Sequence, residues 1–224
     1  MSPARPRTEH SVRRAVEETS KLVWQRGWVA NHDGNVTARV APGRIVATPT
    51  GLSKRVIDRE MLLVVDERGR VVRGRLKPFS ELGMHLLVYR ARPDVGAVVH
   101  AHPPHATARG LWCAALPSFL PEAVVSIGAE VPVVPLQMPG RASEDALEPF
   151  VREHDAVMIE GNGVFAWGDD CEQAYLRMEL VEHLALMASL AEASGGLREL
   201  PRDMVEKLLE KRAAAGLGPR GRGR

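Results

Sequence analysis

The chain has 224 residues, of which 45% are apolar and 26% are charged, a balance typical of one folded domain of ordinary size. Its net charge of +2 gives no general electrostatic case for binding nucleic acid. No apolar run approaches the roughly 18 residues needed to cross a bilayer, and the N-terminus has no apolar core between its charges. We therefore expect neither a membrane span nor a secretory signal.

The two ends of the chain concentrate basic residues, so we expect disordered arms at residues 1–8 and 215–224 and a single domain at residues 9–214. An RNA-binding tail is the alternative, which the short basic C-terminus supports only weakly. Cys113 and Cys171 have no metal-binding or redox spacing, which indicates a reducing compartment, with the cytoplasm as the default.

The first predicted element is an amphipathic helix over residues 8–26, which ends at Gly27. A turn at residues 31–34 follows and leads into a strand at residues 35–39. Because Asn and Gly tolerate positive φ, this turn can direct backbone N–H groups towards one point. An ordinary structural loop would use the same residues.

Residues 44–48 are predicted to form a second strand, and a turn containing Thr50, Gly51 and Lys54 follows it. A hydroxyl, a glycine amide and an ammonium group together make a candidate oxyanion cradle. A plain connecting turn has the same composition, so both interpretations stay open.

Residues 62–65 and 70–73 are predicted to form a β-hairpin. The stretch from Glu81 to Pro103 then combines a short helix with an apolar strand. That strand ends in His100-Ala-His102, on which the functional interpretation depends.

His100 and His102 are candidate metal ligands, because residues i and i+2 of a strand leave by the same face. Imidazole suits Zn, Fe, Ni or Co, and a catalytic zinc uses three protein ligands and an open position. Glu81 lies on a separate element and is a further candidate ligand or a proton carrier. The alternatives are a structural histidine pair and, for Glu81, a first-turn residue favoured by the helix dipole. His85 shares the helical face of Glu81 and is interpreted as a supporting or packing residue.

The chain continues with a predicted short helix at residues 104–111, an ambiguous segment at 118–127 and an edge strand at 131–134, which contains a proline. A helix is predicted at residues 143–154, with Ser143 as its N-cap.

Strands are predicted at residues 156–159 and 164–167, on either side of a tight turn. Asp170 is predicted to cap a long helix, and a last helix begins at Pro201. The order of these elements favours an α/β fold, with helices on both faces of a mixed or mainly antiparallel sheet. The GxGxxG and GxxxxGK[ST] motifs are missing from the sequence, which excludes the two commonest nucleotide cradles.

Taken in order, these motifs resemble the class II aldolase/adducin family over about residues 10–195. The resemblance is carried by Gly34-Asn35-Val-Thr-Ala-Arg39, Thr48-Pro49-Thr50-Gly51, Ser80-Glu81 with His85 and Tyr89, Arg92-Pro93-Asp94, and the apolar run into His100-Ala101-His102-Pro103. It implies a three-layer α/β/α sandwich with a mostly antiparallel central sheet. It also implies a homotetramer around a four-fold axis, with its sites between subunits.

The activity implied by the resemblance is reversible, zinc-dependent aldol cleavage of a sugar phosphate such as L-fuculose 1-phosphate. In the family the His-x-His pair and one later histidine hold a divalent metal, usually zinc, and Glu81 matches the acid/base. Substrate phosphate is assigned to four matching positions, which are Asn35, Thr50, Gly51 and Ser80. Relatives that are epimerases have Asp where this chain has Glu81, which favours the aldolase branch.

Three positions depart from the family pattern. The third metal histidine is Asn162 here, and an amide is a poor zinc ligand beside imidazole. His183 on the following helix is a candidate replacement, with a packed or surface histidine as the alternative. Phe79 replaces the first of two phosphate-site serines, and the expected tyrosine has no counterpart at Leu120-Pro-Glu122. A sugar-phosphate epimerase or dehydratase, or a metal-free adducin-like binding module, therefore stays as an alternative function.

Overall fold

The computed structural model describes residues 8–112 and 115–219, which contain seven α-helices and ten strands. The helices are α1 (Glu9–Gln25), α2 (Leu82–Ala91), α3 (Pro104–Gly110), α4 (Pro121–Ile127), α5 (Arg141–Val151), α6 (Cys171–Ala193) and α7 (Arg202–Ala214). The strands are β1 (Asn35–Ala41), β2 (Arg44–Ala47), β3 (Leu63–Val65), β4 (Val71–Arg73), β5 (Ala97–Ala101), β6 (Leu116–Pro117), β7 (Glu130–Val131), β8 (Val133–Val134), β9 (Ala156–Ile159) and β10 (Val164–Gly168).

Eight strands form one central sheet in the order β4-β3-β2-β1-β5-β10-β9-β8. Every neighbouring pair in it is antiparallel except β8 and β9, which run parallel. Strands β6 and β7 pair separately. The prediction of a mostly antiparallel sheet is confirmed.

Two apolar cores lie on the two faces of the sheet, and β5 contributes to both because its side chains alternate. Ala97 and Val99 pack in the core that contains residues of α1 and α6. Val98 packs in the core that contains residues of α2 and α5. His100 lies on this second face, where its ring stacks on Phe165. The three-layer α/β/α sandwich is therefore confirmed, and the histidine pair belongs to the α2 side of it.

The helix at the predicted Ser143 cap begins two residues earlier than expected. Arg141 is its first residue, and Gly140 occupies the N-cap with a φ of 124°. The Ser143 hydroxyl accepts a hydrogen bond from the Gly140 N–H at 3.2 Å from within the first turn. The predicted helix is correct, whereas the predicted cap is wrong because a positive-φ glycine already turns the chain.

The segment that the sequence left ambiguous becomes α4, which begins at Pro121. The predicted strand at 131–134 divides at Pro132 into β7 and β8, and β8 is an edge strand as expected. Proline has no N–H to donate to a ladder, which explains the division.

The described residues reach slightly beyond the predicted domain at both ends. Thr8 caps α1 by accepting a hydrogen bond from the Ser11 N–H at 3.1 Å. After α7, the Leu217 N–H donates to the Arg212 carbonyl at 3.0 Å. The rest of the predicted arms, residues 1–7 and 220–224, lies outside the described residues, as does Cys113. No helix within the described ranges has the length and apolarity needed to cross a membrane.

Candidate active site

A cavity of about 610 Å³ opens on the α2 side of the sheet, at the end of β5. Its walls come from the turn before β1 at residues 32–35, the turn after β2 at residues 49–50, the start of α2 at residues 79–81 and the segment 134–139 after β8. The residues at its base include His100 and His102, so the histidine motif lies where four separate parts of the chain meet.

The two imidazoles face each other as their spacing predicts. The Nε2 atoms of His100 and His102 are 3.3 Å apart. The Nδ1 of His100 donates to the Val164 carbonyl oxygen at 3.0 Å, which leaves its Nε2 with a lone pair when the ring is neutral. His100 is fully buried, whereas 31% of the His102 side chain is exposed to the cavity side.

Glu81 is positioned at the N-cap of α2, and its carboxylate approaches the histidine pair. Its Oε2 lies 3.4 Å from the Nε2 of His100. Two side-chain amides hold the carboxylate: Asn35 donates to Oε2 at 3.0 Å and Asn162 donates to Oε1 at 2.7 Å. Both oxygens of Glu81 therefore have a fixed donor from another part of the chain.

These contacts hold Glu81 as an anion. Burial raises its pKa, but the His100 imidazole and the amides of Asn162 and Asn35 outweigh burial and lower the pKa from 4.5 to about 2. Glu81 is therefore ionised at neutral pH and has no proton to donate in its resting state.

Asn35 reaches Glu81 because the sheet register places it there. Asn35, His100 and Phe165 are direct partners across β1, β5 and β10, so their side chains lie in a row on one face. Both polar atoms of the Asn35 amide form hydrogen bonds. The Nδ2 donates to Glu81, and the Oδ1 accepts from the Nε2 of His85 at 2.6 Å.

A buried hydrogen-bond chain continues from His85 into the protein. The Thr37 hydroxyl lies 2.8 Å from the Nδ1 of His85 and 2.9 Å from the Tyr89 hydroxyl. Burial, with His100 acting in the same direction, lowers the pKa of His85 to about 3, although Glu81 opposes this shift. His85 is therefore neutral and can donate to Asn35 while accepting from Thr37, which orients the amide on Glu81.

The turn that carries Asn162 can approach the histidine strand only because of the glycine after it. Gly163 has a φ of 79°, and a Cβ there would collide with the Ala101 carbonyl oxygen and lie 2.6 Å from the His102 ring. Burial and His100 lower the pKa of His102, against the raising effects of Asp33, Glu81 and a hydrogen bond with Asn162. Asn162 thus bridges Glu81 and His102.

The donor set fits a divalent cation at the histidine pair. Two nitrogens bound at about 2.0–2.1 Å to one tetrahedral zinc are roughly 3.3–3.4 Å apart, and the two Nε2 atoms are 3.3 Å apart. The described residues contain no preformed group of three His, Cys, Asp or Glu side chains that could hold a metal. The Glu81 carboxylate, which lies nearest to the pair, accepts hydrogen bonds from the amides of Asn35 and Asn162.

The residues predicted to bind substrate phosphate do not all face the cavity. Thr50 and Ser80 line the cavity, whereas Gly51 follows Thr50 at a φ of 74° and does not. The Asn35 side chain contacts Glu81 and His85 instead of pointing freely into the cavity.

The structure does not bring His183 to the imidazole pair. Its side chain is exposed on α6, and it is not part of the cavity wall. The neighbouring Glu182 carboxylate instead accepts from the backbone N–H groups of His105 and Ala106 at 3.2 and 2.9 Å. The interpretation of His183 as a replacement ligand thus has no support in the geometry.

The cavity wall also contains residues that the sequence did not indicate as site residues. His32 and Asp33 line it, and the Asp33 carboxylate lies 3.9 Å from the Nδ1 of His102. The apolar segment 134–139 forms the opposite wall. The Asn-His-Asp-Gly turn was a sequence signal for His32 and Asp33. No sequence pattern within segment 134–139 indicated that it lies beside the histidines.

A sequence profile described as the Class II Aldolase and Adducin N-terminal domain matches residues 14–189. The chain belongs to this family. It is 33% identical to an L-fuculose phosphate aldolase of Methanococcus maripaludis over 170 residues, which cover 74% of this chain and 89% of the relative. It is also 32% identical to a methylthioribulose-1-phosphate dehydratase of Methylococcus capsulatus over 190 residues, which cover 79% of this chain and 93% of that relative.

Among solved structures, an L-fuculose 1-phosphate aldolase superposes with a TM-score of 0.83 at 25% identity. The match covers 89% of this chain and 95% of that one. Membership of the class II aldolase family and the likeness to fuculose-phosphate aldolases support an enzyme of the aldolase, carbon–carbon lyase type. The relatives also include a dehydratase, so the family alone does not determine the reaction.

Proposed function

We propose that the chain catalyses reversible aldol cleavage of a ketose phosphate such as L-fuculose 1-phosphate, with zinc as the metal. The products are dihydroxyacetone phosphate and an aldehyde. The observation that carries the proposal is the convergence of His100, His102 and Glu81 at the base of one cavity, with successive donor atoms 3.3 and 3.4 Å apart. The identity to a fuculose-phosphate aldolase supports it.

Cleavage beside a carbonyl leaves negative charge on the substrate oxygens, and this is the main barrier to the reaction. When bound at His100 and His102, a divalent cation supplies Lewis acidity for that charge. His100 is held ready by the Val164 carbonyl, which fixes its tautomer. The cavity wall around the pair restricts where the substrate can lie.

Glu81 carries the proton at the carbon beside the carbonyl. In the direction of aldol addition, the carboxylate removes that proton, which moves from carbon to a Glu81 oxygen. In the direction of cleavage, Glu81 takes up the proton that the substrate hydroxyl loses as its carbon becomes the aldehyde, and delivers it to the carbon that has lost its neighbour. The Asn35 and Asn162 amides fix the orientation of the carboxylate during both transfers.

Product analysis tests this proposal. The purified chain, loaded with zinc and incubated with L-fuculose 1-phosphate, is expected to release dihydroxyacetone phosphate, which glycerol-3-phosphate dehydrogenase detects through NADH consumption. The same preparation treated with a chelator is the control and is expected to be inactive. An intact carbon skeleton after prolonged incubation would contradict aldol cleavage.

A sugar-phosphate dehydratase is the second candidate, supported by the dehydratase relative and by the amide of Asn162 at the position of the third family histidine. Mass spectrometry separates the candidates, because dehydration lowers the substrate mass by one water and cleavage gives two fragments. An epimerase would leave the mass unchanged. A metal-free binding module would give no product and would carry no zinc in a metal analysis.

We also propose that the enzyme is a homotetramer with its sites between subunits, as the family resemblance implies. Leu136 and Met138 support this assembly, because they line the cavity yet are 52% and 81% exposed in the single chain. Sedimentation velocity measures the assembly directly, and a monomer at micromolar concentration would contradict it.

A further inference from the structure

Lys54 is a buried lysine that lies outside the cavity wall. It begins a short 3-10 turn, Lys54–Val56, and only 1% of the residue is exposed. Its ammonium group donates to the Leu52 carbonyl at 2.8 Å and to the His32 carbonyl at 3.2 Å. These carbonyls belong to separate turns, so Lys54 fastens the turn before β1 to the turn after β2.

Both turns form part of the cavity wall. His32 and Asp33 line the cavity from the first turn, and Pro49 and Thr50 line it from the second. The Lys54 ammonium therefore lies behind the wall that contains Thr50, one of the positions to which the family resemblance assigns the substrate phosphate. A shift of either turn would move the groups that face the cavity.

The charge of this ammonium has no direct partner of opposite sign. Its two acceptors are neutral carbonyls, and no carboxylate in the described part of the chain forms an ion pair with it. Asp33 is the acid that acts on it, and burial lowers the pKa of Lys54 to about 8 although Asp33 raises it. A buried charge without a counter-charge in direct contact is unfavourable, and an anion bound nearby would offset that cost.

We propose that Lys54 is a positioning residue for the anionic end of the substrate. It holds the two turns together and supplies a positive charge behind them that no carboxylate of the described residues contacts directly, without touching the substrate. This inference rests on the proposed function, in which the substrate carries a phosphate group. Because solvent does not screen a buried charge, its effect on an anion in the cavity is larger than that of a surface lysine.

The test compares Lys54→Met, which keeps the length of the side chain and removes its charge, with Lys54→Arg, which keeps the charge. Isothermal titration measures binding of inorganic phosphate to the zinc-loaded full chain. We expect Lys54→Met to weaken phosphate binding about ten-fold or more and Lys54→Arg to restore part of it. With L-fuculose 1-phosphate, KM is expected to rise by a similar factor while kcat stays within about three-fold.

Lys77→Met is the matched control. It removes the same charge from an exposed lysine close to the cavity, where water and salt screen it, so phosphate binding is expected to stay within about two-fold of the wild type. Lys54→Gln provides a second neutral variant, which can still donate to a carbonyl.

The outcomes separate this inference from the proposed function. If phosphate binding weakens in Lys54→Met but the wild type cleaves no ketose phosphate, the inference about Lys54 is supported and the proposed cleavage is contradicted. Cleavage with unchanged KM in Lys54→Met overturns the inference alone. Absence of phosphate binding in the wild type overturns it as well. Failure of both neutral variants to fold also overturns it, because the ammonium would then serve the fold instead of the anion.

Discussion

The Glu81 carboxylate is held in place by hydrogen bonds from the amides of Asn35 and Asn162, which are distant from it in the sequence. Glu81→Gln removes the group that carries the proton while keeping the shape of the side chain. We expect cleavage activity to fall about 10²–10⁴-fold, the usual contribution of a positioned acid or base. Zinc content, measured by plasma mass spectrometry, is expected to stay unchanged because His100 and His102 are intact.

Glu148→Gln is the control for this change, since Glu148 is exposed on α5 and is not part of the cavity wall. Its kcat is expected to match that of the wild type. Full turnover by Glu81→Gln would rule out Glu81 as the proton carrier.

Asn162 occupies the position at which the family resemblance implies a third metal-binding histidine. The Asn162 side chain already bridges Glu81 and His102, so a histidine there can add a third imidazole to the pair. We expect Asn162→His to raise zinc affinity at least about ten-fold in a competition with a chromophoric chelator. His183→Ala is the control and is expected to leave affinity unchanged, because its side chain is exposed. Equal affinities of Asn162→His and the wild type would mean that residue 162 does not reach the metal.

The packing of α2 against β1 depends on a neutral histidine. Because the pKa of His85 falls to about 3 in the folded protein and stays near 6.5 when unfolded, the unfolded state binds more protons between these values. The contribution of His85 to the free energy of unfolding is fully present above about pH 6.5 and is lost as the pH falls towards 3. The free energy of unfolding is therefore expected to drop by about 2 kcal/mol between pH 7 and pH 5 through His85 alone.

Urea denaturation at pH 7, 6 and 5 measures this loss. The half-buried His102 and His154 also have lowered pKa values and contribute in the same direction. The informative quantity is thus the difference between the wild type and His85→Gln, which is expected to have the shallower pH dependence. His183→Gln should keep the slope of the wild type. An identical slope in His85→Gln would contradict a neutral buried His85.

At the scale of elements, the sequence predicts those features that depend on local pattern. The helical spacing of Val12, Val16 and Val23 is sufficient to predict α1. The rule that residues i and i+2 of a strand share a face is sufficient to predict that the imidazoles of His100 and His102 lie together. The start of α5 was missed because a positive-φ glycine begins the helix before the serine does. The local pattern thus predicts that an element is present more reliably than it predicts the residue at which the element begins.

Contacts between distant segments could not be predicted in this way. The two amides on Glu81 come from residues separated from it by 46 and 81 positions. Only the sheet register, which places Asn35 beside His100, and the close approach of the Gly163 turn create these contacts. The low pKa of Glu81 follows from them, which is why the sequence suggested the role of this residue but not its charge state.

At the scale of the whole molecule, one buried carboxylate joins helices from the middle and the end of the chain. Asp155 is fully buried and forms ion pairs with Arg92 after α2, Arg177 on α6 and Arg212 on α7. Arg212 also donates to the Val125 carbonyl of α4 at 2.8 Å. Burial lowers the pKa values of Arg177 and Arg212, although Asp155 raises both. Arg177 and Arg212 thus share Asp155 as a counter-charge, whereas Arg92 also forms an ion pair with Asp94 at 2.7 Å.

Asp155→Asn removes that charge while preserving the size of the side chain. We expect the free energy of unfolding to fall by about 3–5 kcal/mol, because the buried Arg177 and Arg212 lose their shared partner. Urea denaturation measures the change, with Arg202→Ala as the control. Arg202 is 94% exposed and pairs with Glu206 within α7, so its loss is expected to cost less than about 1 kcal/mol. The cavity contains none of these residues, so Asp155→Asn should retain kcat wherever it remains folded. A loss of stability no greater than that of Arg202→Ala would mean that α7 is held mainly by its apolar contacts.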